Sequence, residues 1–216
     1  MRDKNNRFLI SVLVIATVVI SVIIAFLFNR NLGTMESWFF VIPKVISLEL
    51  GFYIIFKYYA WKWRLFSRWL VPFPDLTGTW LGKIQSSWIN PETKRQIDQI
   101  PCMITITHNY KSISIKVYTG EMVSESFSEE IFFDRETNTK RISYTYTSKP
   151  NLLLADRSPI HEGTAILELI KNESNMKLKG YYFTGRKTTG EIDVTFKSRK
   201  QHDSIPEEVP KHPLAK

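Results

Sequence analysis

Residues 112–119 read SISIKVYT, with Ile113, Ile115 and Val117 alternating against Ser112, Ser114 and Lys116. A period of two sends successive side chains to opposite faces of a strand, so this stretch is expected to be a strand with one apolar and one wet face. Near the other end Ile192, Val194 and Phe196 alternate in the same way with Glu191, Asp193 and Thr195. Working outward from these two, residues 76–86, 100–109, 125–134, 141–148, 163–170 and 175–185 also read as strands, and 112–119 and 191–199 bring the set to eight. His108-Asn109, Thr119-Gly120, Asn138, Pro150-Asn151, Asn172 and Gly190 mark turns between them. Connections this short suit an up-and-down meander, and eight antiparallel strands close into a β-barrel over 75–199. Closure also removes the exposed edges that an open sheet must protect. Residues 200–216, with Pro206, Pro210 and Pro213 and few apolar side chains, are expected to be a disordered tail.

Ahead of the barrel the pattern changes. Residues 8–28, FLISVLVIATVVISVIIAFLF, contain no charge and no proline, and a run of 21 residues is enough to span a hydrocarbon core. It is longer than a signal-peptide core and is followed by Asn29, Arg30 and Asn31, not by a small-residue cleavage site. Residues 38–59 form a second apolar stretch, interrupted by Pro43, Lys44 and Glu49. With a short link between them the two are expected to form a transmembrane hairpin. The first span and a periplasmic loop then occupy 1–37, and the second span with an interfacial segment occupies 38–74. Arg2, Lys4 and Arg7 precede the first span and Lys57, Lys62, Arg64 and Arg68 follow the second, which puts both ends and the barrel in the cytoplasm. Trp61, Trp63 and Trp69 alternate with those bases as an interfacial anchor does.

Glu49 falls near the middle of the second span, where an acidic side chain costs about 2.5–3.5 kcal/mol to insert. Lys44, roughly 140° away around the helix, is a poor partner. A group on another helix or another copy of the chain, or a small aqueous defect, would account for it, as would an uncharged carboxyl facing the bundle while Lys44 snorkels to the interface. Thr17, Ser21 and Ala25 recur every fourth residue and set small side chains on one face, a pattern that lets membrane helices approach closely. Together with Glu49 this stripe points to self-association.

The net charge of +8 would suit nucleic acid, but most of the excess lies before residue 75, where nine Lys and Arg oppose three acids; beyond it twenty oppose eighteen. A surface for duplex DNA or RNA is not supported. Cys102 is the only cysteine, which excludes an intrachain disulfide and a thiolate metal cluster. Four scattered histidines and no nucleophile elbow or phosphate-cradling glycine loop argue for binding and against an enzyme, with no cofactor or metal implied.

For a ligand, Tyr144 and Tyr146 on one face of the fifth strand, Tyr182 on the seventh and Thr105 and Thr107 on the second are candidate lining residues. Tyrosines stack on nucleobases and hydroxyls bond to their edges, while Arg141, Arg186 and Lys187 would balance phosphates. Core packing and cross-strand pairing are the competing roles for such tyrosines. Gly78-Thr79-Trp80 resembles the G-x-W of lipocalin-type barrels, whose tryptophan plugs one end, so Trp80 is expected to be structural.

Two apolar spans, the prolines at 72 and 74, the stretch Asp75-Leu76-Thr77-Gly78-Thr79-Trp80 followed by Gly82, and an all-β remainder together resemble one family. It is the CD-NTase-associated effector of the bacterial anti-phage system CBASS, with two transmembrane helices and a β-barrel. The resemblance covers residues 8–199. It implies that a CD-NTase makes a cyclic oligonucleotide, in the first instance a cyclic dinucleotide, which the barrel binds. The chains then assemble in the inner membrane and disrupt it, killing the infected cell. A membrane-tethered lipocalin-like carrier of lipid and a structural scaffold are the alternatives.

Overall fold

The structure is a computed structural model that describes residues 2–63, 73–134, 136–152, 158–172, 175–207 and 209–214, with side chains from residue 11 onward. It divides into two compact units, Met1–Pro72 and Phe73–Lys216. Arg64, Arg68 and Trp69 of the expected interfacial segment lie outside the described residues, as do the side chains of Arg2, Lys4 and Arg7.

The first unit holds helices α1, Arg2–Leu27, and α2, Met35–Tyr58, followed by a 3-10 turn at Ala60–Lys62. Asn29 ends α1 in the left-handed region at φ 50. There Arg30 N–H reaches the Ala25 carbonyl at 2.8 Å and Asn29 N–H reaches that of Phe26 at 3.2 Å, the pairing of a Schellman cap. The helices pack through Ile24, Val41 and Val45, with Ile20, Leu32 and Phe40 around them. Their remaining apolar side chains, among them Leu13, Ile15, Val18, Phe39 and Ile46, are exposed, which suits hydrocarbon as the surrounding medium. By length and composition α2 is the one described helix that qualifies as a span; the apolar part of α1, Ser11–Leu27, is shorter. Of the expected hairpin of two spans, the described residues show one qualifying span with a second apolar helix packed beside it.

The second unit is a closed antiparallel barrel of eight strands in sequence order, as expected. The strands are β1 Gly78–Ser86, β2 Ile100–His108, β3 Ile113–Thr119, β4 Met122–Asp134, β5 Thr139–Pro150, β6 His161–Lys171, β7 Met176–Thr184 and β8 Thr189–Ser198. β4 starts three residues before the expected position because Gly120-Glu121 alone makes its hairpin with β3. β1 closes on β8 from Thr79↔Ser198 to Ser86↔Gly190, with a register shift after Thr79. The join of β3 to β4 is short: only Lys116, Val117 and Tyr118 pair across it, with Glu125, Ser124 and Val123. β4 bulges between Ser126 and Ser128 and continues paired to β5 alone among the described residues.

Alternation fills the barrel. Ile104, Ile106, Ile115, Ile142, Leu167, Leu178 and Val194 point inward and are buried. One end is sealed by Trp80, fully buried, whose indole N–H donates to the Leu76 carbonyl at 3.1 Å and whose ring meets Phe196 edge-on at 5.2 Å. His108 completes the seal by accepting Leu76 N–H at Nδ1, 3.3 Å away, with Phe73 edge-on beside it. The structural role expected of Trp80 is the one it has. Gly78 enters this end at φ 135, where a Cβ would lie 2.2 Å from the Ser198 carbonyl oxygen.

The segment after β8 is not a loose tail. Lys200, Gln201 and His202 are hydrogen-bonded to Thr79, Thr107 and Thr105 on the outside of the barrel. The prolines that suggested disorder do not prevent an extended strap from using side-chain hydroxyls as anchors.

Candidate ligand cavity

The barrel is open inside at the end opposite Trp80. A cavity of about 150 Å³ lies there, walled by Ile84, Ile100, Val117 and Ile192 and floored by Tyr144, Tyr146 and Tyr182. Ser86, Ser124, Ser148 and Thr184 add hydroxyls to the wall, and Trp88, Glu121, His161, Arg186, His212 and Leu214 surround the mouth.

The three tyrosines are held by packing. Tyr144 and Tyr146 share the inward face of β5, ring centroids 5.8 Å apart and tilted at 45°. A Cβ at Gly163 would come within 2.6 Å of the Tyr146 hydroxyl oxygen, and one at Gly190 within 2.6 Å of the Tyr182 ring, so both glycines make room for aromatic rings. Burial pushes all three phenols above the ordinary tyrosine range; for Tyr182 a hydrogen bond from Ser86 works the other way. They are therefore neutral donors and flat stacking surfaces at physiological pH.

Tyr144 carries the strongest sign of a ligand. Its ring is 1 % exposed, and its hydroxyl makes no hydrogen bond with any described residue. A buried hydroxyl without a partner costs about 1–3 kcal/mol, which a polar group entering the cavity would recover.

At the mouth Arg186 brings its guanidinium 3.3 Å from His161 Nε2 and 3.5 Å from Ser158 Oγ. Desolvation lowers the proton affinity of both bases, and the Arg186 charge lowers that of His161 further. A cation facing a neutral imidazole, with no carboxylate paired to either among the described contacts, is disposed to take an anion.

Of the residues expected to bind, Tyr144, Tyr146, Tyr182 and Arg186 meet in this cavity, and four do not. Thr105 and Thr107 alternate with the inward Ile104 and Ile106, so they face outward and bond the strap. Arg141, three residues from Tyr144, has the opposite parity and ion-pairs with Glu168 across the outer face at 3.5 Å. Lys187 stands in the β7–β8 turn at φ 62, away from the lining. His161 and Ser86 were not expected, yet their parity with Gly163 and Ile84 would have shown that they point inward.

In the helical unit Ser21 and Ala25 are buried and Thr17 is half-buried, on the face turned to α2. The stripe expected to serve self-association is thus used within the chain, opposite Ser37, Val41 and Val45. Glu49 finds its partner on the other helix: Thr17 Oγ1 is 2.5 Å from its carboxyl oxygen and 2.9 Å from the Leu13 carbonyl, with one proton to share between them. Lys44 does not reach Glu49; its ammonium lies 3.3 Å from the Phe40 ring centroid and donates to the Phe40 carbonyl.

A barrel sealed at one end, with an aromatic floor and a basic, hydroxyl-lined mouth, defines a receptor for a small polar ligand. Residues 71–196 match the model of the Cap15 cyclic dinucleotide receptor domain, and the chain belongs to this family of CBASS effectors. No curated protein matches the chain.

Proposed function

We propose that this barrel binds a cyclic dinucleotide through the cavity opposite Trp80, and that the helices hold it at the bacterial inner membrane, where ligand-bound chains assemble and breach the bilayer. The observation that carries the ligand reading is the buried, unpartnered hydroxyl of Tyr144 at the floor of a cavity whose mouth holds Arg186. Bases stack on Tyr146 and Tyr182, base edges take hydrogen bonds from Tyr144 and the serines, and phosphates face Arg186 and His161. The family's name supplies the ligand class, and the exposed apolar faces of α1 and α2 support the anchor. The hydroxyls of Ser86, Ser124, Ser148 and Thr184, set among apolar walls, suit a ligand with flat apolar faces and polar edges better than a lipid chain.

The test is a thermal-shift titration of the detergent-solubilised chain with a panel of cyclic dinucleotides. A ligand confined to the folded state stabilises it by about 2.7 kcal/mol at a hundredfold excess over Kd. One panel member is expected to raise the melting temperature. No shift with any member, together with lipid retained in the purified protein, would replace this reading with the carrier.

A further inference from the structure

The segment after β8 leaves the sealed end and climbs toward the mouth. Thr79 Oγ1 donates to the Lys200 carbonyl at 2.7 Å, Gln201 Nε2 to Thr107 Oγ1 at 2.6 Å and to the Ile106 carbonyl at 2.9 Å, and Thr105 Oγ1 to the His202 carbonyl at 2.8 Å. β2 runs from the mouth to the sealed end, so contacts at 107 and then 105 carry the segment back up its outer face. Asp203 lies close enough to Lys116 and Tyr118 on β3 for each to feel its charge. Met103 and Tyr118, cross-strand neighbours on this outer surface, are buried although they face away from the core. At the mouth His212 covers Gly120, where a Cβ would lie 2.8 Å from its own Cβ, and its Nδ1 is 3.2 Å from Glu121 Oε1. The two side chains are 5 % and 9 % exposed, and Leu214 joins the cavity lining.

We propose that residues 209–214 form a built-in stopper, latched by His212 on Glu121, which must leave the mouth before the ligand enters. The proposal rests on the cyclic dinucleotide reading and deepens it. With His212 and Leu214 in place the cavity measures about 150 Å³, below the roughly 300–1,000 Å³ that enclosed small-molecule sites offer. Some part of the lining has to move. Most other lining residues belong to strands or to loops anchored at both ends by strands, whereas this segment pairs with no strand and can withdraw without disturbing the ladder. It also lies beyond residues 71–196, the part of the chain that matches the receptor family.

Two full-length variants test it. His212→Ala with Leu214→Ser removes the latch and plug while keeping residues 200–207 over Met103 and Tyr118. Gly120→Ala leaves the segment intact and pushes His212 off its seat; Gly120 has no left-handed φ to forbid it. If the stopper is seated nine-tenths of the time, freeing the mouth tightens Kd for the bound cyclic dinucleotide about tenfold. Both variants are expected to bind more tightly than the parent, and saturating ligand is expected to speed amide exchange at 211–214 in the parent. Equal affinities with unchanged exchange would overturn the stopper. If no panel member binds any of the three proteins, the nucleotide reading falls, and 1-anilinonaphthalene-8-sulfonate reads the mouth instead. Uptake greater in the variants then upholds the stopper, and equal uptake overturns it.

Discussion

Tyr144 shows how a single atom ties packing to recognition. Its ring fills the barrel with Ile142 and Leu167 on neighbouring inward positions, while its hydroxyl finds no partner among the described residues. Tyr144→Phe removes the unpartnered group and keeps the ring. It is expected to stabilise the ligand-free barrel, by about 1–3 kcal/mol at most, and to weaken cyclic dinucleotide binding. Unfolding midpoints and a binding isotherm on the same preparation check both signs; a destabilised variant would show that the hydroxyl is already satisfied. The same residue marks what the sequence discloses. That Tyr144 and Tyr146 share a face follows from their spacing, and parity would also have excluded Arg141. The stacking room left by Gly163 and Gly190 could not be read, because it depends on which strand lies alongside.

Among the elements, the two helices carry a stripe against a stripe: Thr17, Ser21 and Ala25 on α1 facing Ser37, Val41, Val45 and Glu49 on α2. Small side chains bring the backbones close enough for Thr17 to meet Glu49. On the proposed function, Glu49→Leu is expected to leave ligand affinity unchanged and to abolish ligand-dependent dye leakage from proteoliposomes. Leakage equal to the parent's would assign the breach to another part of the anchor. The spacing of small residues was visible in the chain, but whether they meet a second copy or the next helix is decided by the loop, which the Asn29 cap folds back. The strands were legible almost to the residue where polar and apolar side chains alternate, as in β3 and β8. The strap was not, because its anchors are the outward hydroxyls of Thr79, Thr105 and Thr107, which on an isolated strand look like any wet face.

For the whole molecule, charge and closure govern what can be asked of it. Arg2, Lys4 and Arg7 at the start of α1, with Lys57 in the last turn of α2 and Lys62 beyond it, are the kind of asymmetry that orients a membrane protein, and on the proposed function they keep the barrel on the cytoplasmic side. A reporter fused after Lys216 is expected to be active only on the cytoplasmic side; periplasmic activity would cut the barrel off from a cytosolic messenger. Cys102 belongs to the closed interior as well: burial pushes its thiol up to about 12, so it stays protonated and unreactive while the barrel is shut. A hoop, moreover, has no ends, so its weakest fastening is its shortest join. That join is where the ladder between β3 and β4 holds only the pairs at Lys116, Val117 and Tyr118, helped by Ile115 N–H donating to Ser126 Oγ at 2.8 Å, and both strands also line the cavity, through Val117 and Ser124. The vessel therefore carries its thinnest seam beside its contents, while every other pair of staves is joined over a longer ladder.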